Sequence, residues 1–346
     1  MTLPGYILQR LLPLAIAMLM TMVCPASPWA APVYTVIAGS SEPGTAKFLA
    51  DLSRIWRLMH TPTADRLAVI TVDRPGLRLQ RLSRGRGHFA VINTAVAARE
   101  LANHEGLAAV ALLWPGYLHA IASSGGPPVL RLPLSAELSI AENARYVYEG
   151  LMEWSEGRPE QQELLRLVPG GPELLDRKNS GGTLSDQQTD QSGQAVRERG
   201  DSELPAQEQD RSGLLLFTAP APLARVVRVM EEDPSLRLVP VAGNLVEELR
   251  LRFPWLQTET LPRGAYPGMN SRLVLPVRYQ LIVGRRDLAP ATVEKMLVSI
   301  YRRKGAAAPI NPLFSMLNEK LNAIFTELFP YHPVTADFLG FAPRTR

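Results

Sequence analysis

Apolar runs alternate with amphipathic stretches along most of this 346-residue chain. Runs such as 34–38, 67–72 and 88–92 are short and bounded by turn residues, which is typical of buried strands. Strands that alternate with helices favour parallel sheets covered on both faces, so the pattern predicts an α/β fold. The further predicted strands are 107–113, with 117–122 continuing extended, then 129–132, 214–217, 236–241 and 277–283.

The helical stretches carry apolar residues at positions that fall on one face. One stripe, which includes Ile140, Val147 and Leu151, predicts a helix that reaches about Ser155. Asn311-Pro312 is typical of an N-cap followed by a first-turn proline, and it predicts a helix that continues to about residue 328. The other predicted helices lie at 48–59, 74–85, 94–101, after Pro222, and at 293–301.

Residues 1–30 have the pattern of a secretory signal peptide. Arg10 supplies the positive charge, 11–24 is an apolar run, and small residues follow. The run is shorter than the roughly 20 residues that a membrane span needs. An uncleaved anchor and a lipoprotein signal remain as alternatives, although Val23 is a poor match to the small residue expected before a lipidated Cys24. We therefore expect an exported, periplasmic protein of the Gram-negative type.

The composition changes in the middle of the chain. Residues 176–212 are rich in Gln, Asp, Glu, Ser, Gly and Arg and contain almost nothing to bury. A segment of this kind cannot offset the entropy lost on ordering, so we expect a disordered polar insert at 176–212. A partner-binding segment is the alternative.

Charge and motifs exclude several classes of function. The formal net charge is +4, but the arginines are scattered and do not form the basic stripe of a nucleic-acid-binding protein, so we expect no nucleic-acid partner. The one cysteine, Cys24, would leave with the signal peptide. The sequence has no nucleophile elbow, P-loop or zinc helix, and its five histidines lack metal-ligand spacing. We expect no catalysis, no metal and no cofactor.

The C-terminal third carries a family resemblance. Its most specific segments are, in order, Leu238–Val241, Pro262–Gly268, Val277–Leu288 and Tyr331–Pro333. This order resembles the solute-binding subunits of tripartite (TRAP) transporters, specifically the TAXI branch. The resemblance extends from Tyr34 to about Phe341, broken by the polar insert, and it includes the Gly39–Gly44 loop and the strand His88–Asn93.

This resemblance implies an α/β, two-lobed, periplasmic-binding-protein-like (type II) fold, in which each lobe is a doubly wound sheet with helices on both faces. The first lobe would comprise 33–117 plus about 277–346, and the second lobe about 118–276. It also implies that a ligand binds in the cleft between the lobes, which close over it. The partners would be a small carboxylated solute, either an amino acid or a dicarboxylate, and the membrane subunits of the transporter.

In a doubly wound sheet, small molecules bind beyond the carboxyl ends of strands and near helix N-termini, where free N–H groups favour anions. The loop after the first strand fits this description, so its hydroxyls and amides are candidates to hold a carboxylate. An ordinary capped turn is the alternative, since serine and glycine suit it equally. The candidate residues in this loop are Gly39, Ser40, Ser41 and Thr45.

Four further residues are candidates for ligand contact. Ser135 holds the corresponding place in the second lobe, and the N-cap of the following helix is its alternative role. Asn93 and Thr218 each follow a predicted strand, and ordinary turn chemistry is the alternative role of Asn93. Tyr266 lies in a turn of the family pattern, where its ring would pack on the solute or stabilise the turn.

The resulting hypothesis is a periplasmic solute-binding component of a TRAP-type secondary transporter. The alternative is a periplasmic sensor or interaction scaffold that kept the fold and lost the ligand of the family. Glu42 motivates this alternative, because an unpaired carboxylate beside an anion site repels a dicarboxylate. An amino group on the ligand, or a Glu42 side chain turned to water, would remove that conflict.

Overall fold

The computed structural model describes residues 31–40, 44–58, 65–123, 125–169, 175 and 214–341. The predicted signal peptide, 1–30, and the predicted disordered insert, 176–212, lie outside the described residues. The strands are β1 (Val33–Ala38), β2 (Arg66–Thr71), β3 (Phe89–Asn93), β4 (Leu107–Ala122), β5 (Leu138–Ala141), β6 (Leu165–Val168), β7 (Leu214–Ala219), β8 (Arg237–Leu238), β9 (Gln257–Leu261) and β10 (Leu273–Arg285). The α-helices are α1 (Thr45–Leu58), α2 (Pro75–Ser83), α3 (Thr94–Glu100), α4 (Arg145–Trp154), α5 (Pro159–Gln162), α6 (Ala224–Glu232), α7 (Gly243–Arg252), α8 (Pro290–Leu297), α9 (Lys304–Ala307) and α10 (Pro333–Leu339).

These strands form one hydrogen-bonded sheet that divides into two similar halves. Lobe 1 has the order β2-β1-β3-β10-β4, in which β1, β2 and β3 are parallel and β10 is antiparallel to β3. Lobe 2 has the order β6-β5-β7-β4-β8, in which β5, β6 and β7 are parallel and β4 is antiparallel to β7. The antiparallel strand of lobe 1 is β10, which begins in lobe 2, and the antiparallel strand of lobe 2 is β4, which begins in lobe 1. This topology confirms the predicted two-lobed α/β fold, whereas the predicted residue boundaries of the lobes stay a prediction.

Two long strands connect the lobes. β4 has 16 residues and β10 has 13, and they pair antiparallel from Leu107–Arg285 to Tyr117–Val277. The two extended segments predicted at 107–113 and 117–122 are therefore one strand. Pro115 does not interrupt it, because it lies opposite Tyr279 beside a shift in register, where a strand tolerates a residue without an N–H group.

The sheet of lobe 1 is covered on both faces. Successive residues of a strand point to opposite faces, so Val36 and Ile37 belong to different hydrophobic clusters. The Val36 cluster contains Phe48 and Trp56 of α1 together with residues that follow β10, such as Met296. The Ile37 cluster contains Leu79 and Leu82 of α2 and continues into lobe 2.

The structure corrects two predictions around residue 135. The strand predicted at 129–132 is absent in this described region; Leu130 makes an isolated bridge with Val241. Prolines before and after Leu130 have no N–H group to donate to a ladder. The strand is β5 instead, so Ile140 lies in a strand and the following α-helix begins at Arg145, after a short 3₁₀ turn.

The helix predicted at 311–328 is also corrected. Asn311 does cap a helical turn, since its Oδ1 accepts a hydrogen bond from Leu313 N. That turn is the 3₁₀ segment Pro312–Phe314, and a second 3₁₀ segment, Glu319–Phe325, begins with its own cap at Asn318. Asn318 has an extended backbone, so the predicted helix is interrupted there and divides into two 3₁₀ segments.

Candidate functional site

A cavity of about 430 Å³ lies between the two lobes. The connecting strands form its floor, with Trp114 and Gly116 on β4 and Arg278 and Gln280 on β10. Each pair is two residues apart on its strand, and Arg278 lies directly opposite Gly116, so all four residues lie on one face of the two-stranded ribbon. Trp114, Arg278 and Gln280 present their side chains on this face, and Gly116 has no side chain there.

The walls of the cavity come from the carboxyl ends of the parallel strands. Asp73 follows β2 and Asn93 ends β3 in lobe 1, whereas Asn143 follows β5 and Thr218 lies near the end of β7 in lobe 2. Helices α2, α3 and α4 begin at the same edge. This is the position at which open α/β sheets bind their ligands.

The loop after β1 holds a carboxylate that belongs to the protein itself. Ser40 donates to Asp73 Oδ1 from its amide N at 2.9 Å and from its hydroxyl at 2.6 Å. The hydroxyl bond is the largest cause of the lowered pKa of Asp73, and the amide bond adds to it. Ser40 is predicted to bind the carboxylate of a solute, and in this structure it binds the carboxylate of Asp73.

Arg78 lies beneath this loop and is buried, with 1% of its surface exposed. Its guanidinium donates to the backbone oxygens of Val72, Asp73 and Val91 at 2.6–2.8 Å. A Cβ at Gly39 would lie 2.1 Å from Arg78 Nη2, so the glycine gives the guanidinium its space. Arg78, which also lines the cavity, therefore holds the end of β2 against β3.

Two asparagines fix the backbone around the cavity. Asn93 is the N-cap of α3, because its Oδ1 accepts a hydrogen bond from Val96 N at 3.0 Å. Asn143 donates to Thr218 O at 2.8 Å and accepts from Thr218 N at 2.9 Å. Both backbone groups of Thr218 are thus satisfied by one side chain, which holds the end of β7 beside the turn that follows β5.

Several buried polar atoms at the cavity have no hydrogen-bond partner among the described residues. They include Oε1 of Gln280, which is 7% exposed, and Oγ1 of Thr218, which is 3% exposed. The hydroxyl of Tyr146 is a third. Burial raises the pKa of Tyr146, and the charge of Arg278 and the nearby hydroxyl of Thr218 both act against that rise. The hydroxyls of Tyr146 and Thr218 nevertheless do not reach hydrogen-bonding geometry. Buried polar groups of folded proteins are normally satisfied, so this cluster marks a place for a polar guest.

The charged groups at the cavity are of both signs. Arg145 makes a two-pronged ion pair with Glu142 at 2.6 and 3.0 Å within lobe 2. Arg99 of α3 and Glu149 of α4 approach to 3.8 Å and so connect lobe 1 to lobe 2. On the floor, the guanidinium of Arg278 lies 5.9 Å from the centre of the Tyr146 ring.

The structure places the predicted site residues in different surroundings. Asn93 and Thr218 line the cavity. Gly39 and Ser40 do not line it but contact residues that do: Gly39 is buried against Arg78, and the exposed Ser40 bonds Asp73. Thr45 is buried at the start of α1, and Ser41 and Glu42 lie outside the described residues.

Ser135 and Tyr266 are not at the cavity. Ser135 is exposed and precedes β5, which puts it at the amino end of that strand, away from the ligand edge, and it caps no helix. Tyr266 is 2% exposed. Its hydroxyl bonds His119 Nε2 at 2.7 Å and accepts from Leu223 N at 3.0 Å, so it stabilises the interior of lobe 2.

The sequence reasoning missed the floor of the cavity. Arg278 and Gln280 are the polar positions of a strand that is otherwise apolar or aromatic from 277 to 283. Two polar residues at alternate positions of a buried strand face the same side, and that alternation was the available signal.

The described part of the chain contains no group of three or more His, Cys, Asp or Glu side chains arranged to hold a metal ion. Nor does any helix there have the length and apolar character needed to traverse a bilayer.

The sequence matches no protein-family profile and no curated protein. Similar solved structures include a histidine kinase sensor domain with similarity to periplasmic binding proteins, with a TM-score of 0.42 and 11% identity over 80% of this chain and 93% of that one. Another is a Xanthomonas citri protein bound to ATP (TM-score 0.43, 12% identity, 89% and 98% coverage). A third is the substrate-binding protein of an amino acid ABC transporter (TM-score 0.39, 8% identity, 86% and 98% coverage). Similarities this distant give no information on the ligand of this chain.

Proposed function

We propose that this chain is a solute-binding protein that captures a small carboxylated molecule in the cavity between its lobes. The observation that carries the proposal is a cavity of about 430 Å³ that is lined by Arg278, Gln280 and Thr218. Gln280 Oε1 and Thr218 Oγ1 are buried beside it and have no hydrogen-bond partner among the described residues. This volume is within the range of small-molecule sites. Each unsatisfied buried group costs free energy, which a bound polar group recovers.

Arg278 is the residue we propose for the carboxylate of the solute. It lies on the floor, where strands from both lobes meet, and a guanidinium can hold a carboxylate through two parallel hydrogen bonds. A solute seated there touches groups from both lobes, so binding favours the closed arrangement. This role needs no covalent chemistry and no cofactor.

The finer proposal is a periplasmic component of a TAXI-type TRAP transporter that delivers its solute, an amino acid or a dicarboxylate, to membrane subunits. It is supported by the family resemblance of segments such as Pro262–Gly268 and Tyr331–Pro333, and by the signal-like pattern of residues 1–30. The two-lobed fold and a polar cavity between the lobes are compatible with it.

Thermal unfolding tests the proposal. The protein is heated with a panel of dicarboxylates, 2-oxoacids and amino acids; a ligand at 100 times its dissociation constant stabilises the folded state by about 2.7 kcal/mol. We expect at least one compound to raise Tm, and Arg278→Gln to weaken its binding at least tenfold. Arg272→Gln removes the same charge from an exposed position near β10 and is expected to bind normally.

A second candidate function is a sensor or scaffold that no longer binds the solutes of the family. The hydrogen bonds from Ser40 to Asp73 favour this second function, because they use the amide and hydroxyl donors that Ser40 would otherwise offer to the carboxylate of a solute. If no compound in the panel raises Tm, this second function replaces the first.

A further inference from the structure

Three aromatic rings of lobe 2 stand together on one side of the cavity. Tyr146 lies 5.1 Å from Trp255 and 6.2 Å from Phe253, and Phe253 lies 5.3 Å from Trp255, as measured between ring centres. All three residues line the cavity. We call them the aromatic wall.

The ring of Phe253 packs beside helices α4 and α7. A Cβ at Gly150 of α4 would come within 2.9 Å of Phe253 Cε2 and 3.1 Å of a methyl group of Leu249. The backbone of Phe253 is fixed as well, since its N–H donates to Leu249 O at the end of α7. Tyr146 and Trp255 are buried, whereas Phe253 is half-buried.

The aromatic wall lies next to Arg278 on the floor of the cavity. The guanidinium of Arg278 lies 5.9 Å from the centre of the Tyr146 ring, which in turn contacts both other rings. An anionic head on Arg278 would thus place the next atoms of a solute against aromatic faces and edges. Aromatic rings prefer such offset or edge-to-face partners, and they gain more from them than from area burial alone.

We infer that the cleft takes carboxylates with an aromatic or other planar apolar body, in preference to short aliphatic acids. The inference rests on the proposed function and specifies its substrate class. Arg278 holds the carboxylate, Gln280 and Thr218 bind polar groups near it, and the planar body packs on the aromatic wall.

Matched pairs of probes isolate the contribution of the ring. Calorimetric titration compares phenylalanine with alanine, phenylpyruvate with pyruvate, and phenyllactate with lactate. The members of each pair share the same acid head and differ in the phenyl group. We expect the aromatic member of at least one pair to bind tenfold or more tightly than its partner, and no pair to show the reverse.

The outcomes separate the two proposals. If the aliphatic members bind as tightly as the aromatic ones, or if dicarboxylates bind and aromatic acids do not, the inference is overturned and the proposed function stands. If no carboxylate of either set binds, both are overturned.

Variants of the wall give a second test. Phe253→Ala is expected to weaken binding of the aromatic acid at least fivefold and to leave the aliphatic acid unchanged, and Phe253→Tyr is expected to restore the preference. Leu251→Ala is the matched control, because Leu251 lies in the last turn of α7, just before Phe253, but is 79% exposed and is not among the residues that line the cavity. An unchanged preference in a folded Phe253→Ala or Phe253→Leu variant overturns the inference.

Discussion

Arg78 is a charged side chain in the interior of lobe 1 whose donors are taken up by backbone oxygens from the ends of β2 and β3. Such a group is stable inside a protein only while its hydrogen bonds are in place. Its position in turn depends on the absence of a side chain at Gly39. Gly39 thereby leaves the space that the guanidinium of Arg78, a residue of the cavity lining, needs.

Replacing Gly39 with alanine tests this dependence. A Cβ placed 2.1 Å from Arg78 Nη2 must displace the guanidinium, so Gly39→Ala is expected to lower the free energy of unfolding by about 1–3 kcal/mol in urea titrations. Gly243→Ala is the control, since a Cβ there meets nothing within 4 Å, and its stability is expected to change by less than about 0.5 kcal/mol. Equal effects at both positions would contradict the account.

His119 predicts a loss of stability in acid. Burial lowers its pKa from 6.5 to about 4 in the folded protein, so between these pH values the unfolded chain binds a proton that the folded chain does not. The free energy of unfolding therefore falls as the pH drops from 6.5 to 4, by about 3 kcal/mol from this group. Urea titrations across this range are expected to show a shallower dependence for His119→Gln. His88 and His332, whose pKa values are also lowered, are present in both proteins.

Some residues of the candidate site can be predicted from the sequence alone. Asn93 and Thr218 were found because they follow apolar strands, and the ends of such strands meet at the cavity. The sequence predicts Ser135 at the cavity because it follows the predicted strand 129–132, which does not form. Phe253 and Trp255 could not be assigned, since residues that follow a helix reach a cavity only through packing that no local pattern encodes.

Among the elements, the 3₁₀ segment Glu319–Phe325 is tied to the middle of β4. Asn322 is buried, accepts from Leu112 N at 2.8 Å, and donates to Tyr301 Oη and Glu319 O at the same distance. The hydroxyl of Tyr301 in turn donates to Leu112 O at 2.7 Å. One residue of the crossing strand thus has both of its backbone groups bonded by side chains from outside the sheet.

Removing this link is expected to be costly. Asn322→Ala leaves a buried N–H group and other polar atoms without partners, so we expect the free energy of unfolding to fall by about 2–4 kcal/mol. Asn318→Ala removes an exposed cap, in which Oδ1 accepts from Lys320 N, and is expected to cost about 1 kcal/mol. Chemical denaturation of the two variants side by side checks the order, and a larger loss for Asn318→Ala would contradict it.

The type of an element can be predicted from the sequence where its apolar run, or its apolar helical stripe, is uninterrupted. Strands β1, β2, β3 and β7 and helices α1, α2 and α3 lie close to their predicted positions. The predictions failed where polar side chains bond the backbone locally, as Asn318 does, or where prolines remove ladder donors near Leu130. Such local competition does not change the apolar pattern.

For the whole molecule, the pair of Arg99 and Glu149 spans the two lobes at 3.8 Å with both side chains well exposed. An exposed pair contributes little by itself. Two like charges at the same place would repel, so Glu149→Lys is expected to favour separated lobes and weaken solute binding severalfold. Titrations at low and high salt check this, because salt screens the repulsion and shrinks the difference from wild type.

Glu231→Lys serves as the comparison for that experiment. It makes the same charge change at an exposed position on α6 of lobe 2, away from the cavity. Its affinity is expected to stay near the wild-type value at both salt concentrations. An equal weakening by the two variants would attribute the effect to net charge and not to the lobes.

The exchange of strands has a consequence for how this chain becomes folded. Lobe 1 has no complete sheet until β10 is in place, and contacts such as Tyr279 N to Thr94 Oγ1 join residues 185 positions apart. Closing loops of that size slows folding, and an N-terminal fragment that ends before residue 273 would expose the open sides of β3 and β4 to other chains. The sheet of lobe 1 is therefore completed only after residues 273–285 have been synthesised, and until then the nascent chain presents unpaired strand edges that favour self-association.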